Sequence, residues 1–287
     1  MIQCSFPWTN ADSCSKWLAD LVTKALIDEA ELTPKPGLVD METVGAHTDL
    51  TIELMRRSAK ALNKTYAEMA RFAFRSKPSQ ELREQLARIG REGEEVMLEA
   101  TGGTNTHRGA IWALGLLIAA AAITGPKATP KEIATLAGEI ARYPDRFAPV
   151  RSTNGIRVQQ KFKVSGATGE AQQGFPNVIN IGLPALQSFR DRGIPESKAK
   201  LDALLAIIAS LDDTCLLHRG GMEALHFAKQ GARYVLLLGG TSTEEGWNAL
   251  QQLDTGLIAR NASPGGSADL LAATLFLDHL SGYGCKR

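Results

Sequence analysis

Ala110-Ile-Trp-Ala-Leu-Gly-Leu-Leu-Ile-Ala-Ala-Ala-Ala-Ile123 is the longest apolar stretch of the chain. It falls short of the ~20 residues that cross a bilayer, so it reads as a helix buried in a core and not as a membrane span. Alanine-rich segments surround it at 107–123, 130–141, 197–211, 221–238, 243–259 and 267–280, with Gly and Pro between them. Towards the N-terminus, Trp17, Leu18, Leu21, Val22, Ala25 and Leu26 recur at helical spacing. They predict a helix up to Glu31, capped by Ser13 or Ser15 and stopped by Pro34 and Pro36. Further helices are predicted from Asp49 to Asn63 and from Ser79 towards Glu99. Strand signals are scarce: Val235 to Leu238 has strand propensity, but a helical pattern runs into it. The expected fold is all-α, one compact domain spanning residues 1–287.

Composition bounds the function. In 287 residues, 44% are hydrophobic and 22% charged, which fits a globular chain. The net charge is +1, so no global field attracts nucleic acid or anionic lipid, and any anion must be bound locally. Cys4, Cys14, Cys215 and Cys285 make no Cys-x-x-Cys pair, which argues against zinc ribbons and disulfide scaffolds. The N-terminus lacks the basic and apolar regions of a signal peptide, so the expected location is cytoplasmic. His-x-x-x-His and His-Glu-x-x-His are both absent, so a dedicated zinc or di-iron site is not expected.

Five constellations carry candidate chemistry. In Glu31-Leu-Thr-Pro-Lys-Pro-Gly-Leu-Val-Asp40, two prolines stiffen the turn around Lys35, and Glu31 and Asp40 supply carboxylates suited to Mg²⁺ or proton transfer. His47 and Asp49 follow two residues apart, where Asp49 is equally readable as a helix cap. Gly102-Gly-Thr-Asn-Thr-His-Arg-Gly109 precedes the apolar helix, so Asn105, His107 and Arg108 stand where a helix dipole favours phosphate. It lacks Walker spacing and is equally readable as a plain cap. Residues 143–176 look irregular and are the candidate substrate-covering loop, with Glu170 a candidate base among glycines. Asp212 and Asp213, close to His218 and Arg219, suit hydrated Mg²⁺ and phosphate; a helix end is the rival reading. Ser263-Pro-Gly-Gly-Ser267 opens the last helix as an anion nest, in which Ser263, Gly265, Gly266 and Ser267 cradle phosphate, with Asp269 in its first turn as a dipole-complementing acid or a metal ligand. His226 and His279 read as packing or surface residues.

Taken together, Thr33-Pro-Lys-Pro-Gly-Leu-Val-Asp40, Gly45-Ala-His-Thr-Asp49, Asn105-Thr-His-Arg-Gly109, Gly169-Glu-Ala171 with Gly174-Phe-Pro176, and Ser263-Pro-Gly-Gly-Ser-Ala-Asp-Leu-Leu271 resemble the triphosphoribosyl-dephospho-CoA synthases. The resemblance spans about residues 20 to 281, with one departure: Arg108 stands where the family form has lysine, which keeps the charge but not a lysine-specific role. It implies transfer of the triphosphoribosyl group of ATP onto the ribose 2′-hydroxyl of 3′-dephospho-CoA, with release of adenine. It further implies Mg²⁺ and a product handed to a holo-acyl-carrier-protein synthase. That product serves malonate decarboxylase or citrate lyase, with length and N-terminal style pointing to the malonate branch. The expected site is then Glu31, Asp40, His47 and Glu170 for catalysis, and Lys35, Asn105, His107, Arg108, Arg219, Ser263, Gly265, Gly266 and Ser267 for the nucleotide. Asp40, Asp49, Asp212, Asp213 and Asp269 are expected to hold Mg²⁺. A nucleotide hydrolase and a non-catalytic nucleotide binder are the rivals, and self-association as a homodimer is left open.

Overall fold

The computed structural model describes residues 10–149 and 154–284; Cys4, Cys285 and the N-terminal segment lie outside them. Helix α1 (Ala11–Ala30) starts at Asn10, whose side chain accepts the Ser13 N–H in a capping box, so the cap is Asn10 and neither serine. Glu31 closes the helix. The helix predicted over 49–63 is α2 (Ile52–Ala61), capped by Thr51 in place of Asp49. After Leu62 the chain runs on as α3 (Asn63–Ala73), which the sequence reading lacked although Tyr66, Met69, Ala70 and Ala73 share its buried face. Helix α4 (Gln80–Thr101) has the expected Ser79 cap. The apolar stretch is α5 (Arg108–Thr124), and α6 (Pro130–Arg142) follows behind a Thr129/Glu132 capping box.

The stretch 143–176 is less irregular than predicted. It holds α7 (Asn154–Phe162) and α8 (Gly166–Gln172), whose glycines hide the helical signal; residues 150–153 lie outside the described set. A π-helical turn at Val178–Gly182 leads into α9 (Leu183–Asp191), also unpredicted. Then come α10 (Glu196–Ser210), α11 (Thr214–Leu237) with a kink at Gly221, α12 (Glu244–Ala259) and α13 (Gly265–Gly284). The 221–238 segment therefore begins earlier than predicted, and Val235 is helical as expected. Among the described residues there is no strand, and no helix is long and apolar enough to cross a membrane.

Helix α5 packs against α1, α3, α4, α6, α8 and α13, which explains why its apolar residues cover nearly its whole circumference. Gly115 lets α3 come close: a Cβ there would lie 2.8 Å from Met69 Sδ. Burying each large aliphatic side chain contributes roughly 1.5–3 kcal/mol, so this ring of contacts fixes the axis of α5 and the direction in which its N-terminus points. Leu114 is fully buried in that ring. Leu114→Ala should lower unfolding free energy by about 2–5 kcal/mol, read from urea denaturation; a loss within error would mean that α5 is not the core helix.

Candidate active site at converging helix N-termini

The first residues of α5, α8, α11 and α13 open onto one cavity, lined among others by Gly109, Gly166, Thr214 and Gly266. Each longer helix brings the positive end of its dipole there. Trp112, Glu170, Asp212 and Asp269 complete the wall. Four of the five constellations thus meet although they are spread over more than half the chain.

Asp213 organises two of these N-termini. Its buried carboxylate accepts the Cys215 N–H at 2.8 Å, the Gly266 N–H at 3.3 Å, and both the N–H and the hydroxyl of Ser267 at 2.7 and 2.9 Å. One side chain therefore caps α11 and pins it to the start of α13. The backbone donors of Gly266 and Ser267, which the sequence offered to phosphate, point at this carboxylate instead. Gly266 is moreover packed, since a Cβ on it would lie 2.9 Å from Asp213 Oδ1. Burial pushes Asp213 up from the usual carboxylate range, against these donors.

Asp269 faces the cavity one turn further along α13. Burial first, then the nearby carboxylates of Glu29 and Asp213, push its pKa well above the usual range, opposed by a hydrogen bond from the Ala110 backbone. Its surroundings therefore favour the protonated form. Gly109 is required beside it, because a Cβ there would collide with Asp269 Oδ2. Glu170 is also buried and raised by that burial, while its two oxygens accept the backbone and side-chain N–H groups of Asn177 at 2.8 Å each. Asp212 pairs with Lys229 at 2.7 Å.

The first constellation lies behind this wall. Lys35 does not project outwards: it is buried, and its ammonium meets the Glu29 carboxylate and, at 2.7 Å, the Glu29 carbonyl. Asp40 accepts the N–H groups of Lys35, Glu42 and Thr43, which occupies it in shaping the turn. Glu31 pairs with Arg56 at 2.7 Å, away from the cavity lining. Gly37, at φ 70°, donates to Asp254 at 2.8 Å and packs against Ala262, so the turn docks on the end of α12. This docking brings His47 Nε2 to 2.9 Å from Ser263 Oγ. Arg219 donates to His47 Nδ1 at 2.9 Å and to the Ala46 carbonyl at 2.9 Å. Arginine can only donate, so Nε2 carries the proton and gives it to Ser263. Burial, then Arg219, lower His47 to about 4 and keep it neutral. His47 and Arg219 thus hold the Ser263 turn in place, while Asp49 stays exposed at 3.7 Å from His47.

His107 is buried at the start of α5 with Nδ1 2.7 Å from Ser58 Oγ, which also receives Thr106 Oγ1–H at 2.6 Å. Its pKa falls to about 4, through burial and then the Lys35 charge. Among the described residues neither His107 Nε2 nor the Tyr66 hydroxyl has a hydrogen-bond partner, and both are buried. Asn105 accepts the Arg108 N–H at 3.2 Å as a local cap, and Arg108 turns to Glu94, off this cavity. Gly265 lies against Cys215, 3.2 Å from its Sγ if given a Cβ. Among the described residues no three of His, Cys, Asp and Glu form a group that could hold a metal ion; of the five predicted Mg²⁺ aspartates, Asp212 and Asp269 share the cavity wall with Asp213 close by, and Asp40 and Asp49 lie off it. Sequence reasoning missed Glu29, Tyr66, Trp112 and Asp254. The first two lie within regular helical patterns and carry no local signal.

An aspartate whose burial favours its protonated form, on the wall of a pocket ringed by helix N-termini, is a candidate site for an anionic ligand. Residues 15–287 match the CitG family, ATP:dephospho-CoA triphosphoribosyl transferase. A Klebsiella pneumoniae protein named 2-(5''-triphosphoribosyl)-3'-dephosphocoenzyme-A synthase is 51% identical over 95% of this chain and 98% of its own. Proteins named as probable enzymes of the same kind from Azotobacter vinelandii and Pseudomonas syringae pv. syringae are 51% and 52% identical, each over 93% of this chain and 92% of theirs. No solved structure matches the chain. The chain belongs to the ATP:dephospho-CoA triphosphoribosyl transferase family and is a transferase.

Replacing Asp213 by Ala orphans its buried donors and unpins α11 from α13. The expected cost is on the order of 3 kcal/mol or more, measured by urea denaturation; a loss below about 1 kcal/mol would remove Asp213 from its organising role.

Proposed function

We propose that this chain moves the triphosphoribosyl group of ATP onto the 2′-hydroxyl of 3′-dephospho-CoA and releases adenine, with Asp269 and Glu170 handling the protons. The observation that carries the residue assignment is Asp269: a carboxyl on the cavity wall beside Glu170, with its pKa pushed upwards by burial and by neighbouring carboxylates. In the reaction the hydroxyl oxygen bonds to C1′ of the ATP ribose as the bond to adenine breaks. The hydroxyl loses a proton and adenine gains one, so the balance needs no further reactant. Adenine leaves best when protonated, the task of a neutral acid such as Asp269. Of the candidate bases, Glu170 lies on the cavity and Glu31 does not, so Glu170 takes the hydroxyl proton. Charge building on the ribose ring also favours nearby carboxylates.

The retained triphosphate makes Mg²⁺ part of the proposal. Asp40 and Asp213 are occupied by backbone donors and Asp49 lies off the cavity, which leaves Asp212, ion-paired with Lys229, as the predicted aspartate for the ion, with Asp269 kept for the proton. A single carboxylate fits Mg²⁺ holding mostly phosphate oxygens and water. When bound, the ion offsets triphosphate charge. The proposal includes a holo-acyl-carrier-protein synthase as the downstream partner, for malonate decarboxylase, and a cytoplasmic location.

Adenine release, followed by chromatography, should require both ATP and dephospho-CoA and should vanish with EDTA. Equal release with water alone would defeat the transfer reading. A base must be ionised and an acid protonated, so kcat/KM rises with pH through the raised pKa of Glu170 and falls through the higher one of Asp269. Glu170→Gln should remove the acidic limb and Asp269→Asn the alkaline limb, each lowering kcat by about 10² to 10⁴. An unchanged alkaline limb in Asp269→Asn would rule out Asp269 as the acid.

A further inference from the structure

A second cavity, open to solvent, lies on the neighbouring face of α5, and its wall carries more cations than anions. Arg83, Arg91 and Arg108 line it together with Trp112, opposed by Glu94 and Asp145. Both carboxylates are already paired: Arg91 meets Asp145 at 2.6 Å and Arg108 meets Glu94 at 2.9 Å. Arg83 is left over as the third cation. It is 8% exposed, its guanidinium lies 4.8 Å from the Trp112 ring centroid, and its Nε is buried without a partner among the described residues. Burial opposes its charge, Asp145 supports it, Arg91 opposes it and Glu84, itself paired with Arg146, adds a smaller support. A buried guanidinium N–H without an acceptor, beside a second guanidinium, is a costly arrangement that an anion relieves.

We propose that this cavity is the socket for the polyphosphate of one of the two nucleotide substrates, gripped by Arg83, which Trp112 holds in position. The assignment of substrates rests on the transfer reaction proposed above. Guanidinium groups match phosphate by paired N–H donors, and the cation–π contact fixes the Arg83 fork before the ligand arrives. Trp112 also lines the first cavity, so a nucleotide with its phosphates on Arg83 reaches the acid-bearing cavity with its ribose across one shared side chain. The arrangement also accounts for Arg108: it serves this socket and not the turn before Asp269.

The test titrates the purified full chain with inorganic tripolyphosphate, ATP and dephospho-CoA by calorimetry, for the wild type, Arg83→Met and Arg83→Lys. Tripolyphosphate affinity should fall about 10- to 100-fold in Arg83→Met and less in Arg83→Lys, which keeps the charge but loses the fork. The KM of one nucleotide should rise by a similar factor while that of the other stays within about 2-fold; which one rises identifies the occupant. Circular dichroism and melting report whether Arg83→Met is folded; if it is not, Arg83→Lys decides. Wild-type tripolyphosphate affinity and both KM values in the folded variant would overturn the socket. Failure of the wild type to release adenine would defeat the transfer reading instead, and leaves the tripolyphosphate titration as the measure of the socket.

Discussion

One buried carboxylate holds the working end of this molecule together. Asp213 takes donors from the starts of two helices that are far apart in sequence, so neither α11 nor α13 can shift without stranding charged hydrogen bonds in the interior. The cavity wall inherits its shape from that bond set. Gly266 and Asp269 sit at fixed positions on α13, and Gly109 supplies the gap into which the Asp269 carboxyl fits. A nest meant for phosphate would leave its donors free. Here an internal anion occupies them, and the dipoles of α11 and α13 are partly offset before any ligand arrives.

That arrangement also sets the electrostatics. Glu29, Asp213 and Asp269 are gathered near the ends of α1, α11 and α13, with Lys35 as the buried cation that answers Glu29. Crowding carboxylates in a dry region raises the affinity of one of them for a proton, and the one facing the cavity is Asp269. His107 and His47 move the opposite way, both towards about 4, because burial and adjacent cations disfavour their charge. An aspartate whose protonated form is favoured and two neutral imidazoles thus share one region, and each shift has burial as its first cause.

The fold class was legible in Ala110–Ile123 and in the alanine-rich segments around it, because helical periodicity and Gly or Pro punctuation survive in the sequence. The helices α3, α7, α8 and α9 were not: the first follows α2 with only Leu62 between them, and the next two are short and built on polar residues and glycines. Site legibility divides along similar lines. Motifs from separate parts of the chain do come together, since Gly109, Glu170, Asp212 and Asp269 line one cavity. They misjudged direction. Lys35 turns inwards to Glu29, Asp40 serves its own turn, Glu31 pairs with Arg56, and Arg108 faces the second cavity. Side-chain direction depends on packing partners such as Glu29 and Asp254, whose distance along the chain no local pattern encodes.

Helix α5 is at once the centre of the core and the partition between two cavities, and this double employment limits how the protein can diverge. In its N-terminal half, residues 108–116, packing against neighbouring helices and lining the two pockets fall on the same few turns, so little surface there is free to absorb change. A drift in substrate preference through Trp112 or its neighbours would disturb the packing of α3, α6 and α13 in the same step. Variation in ligand taste is therefore expected to accumulate on α4, which contributes Arg83 and Arg91 from the periphery, before it touches the central rod.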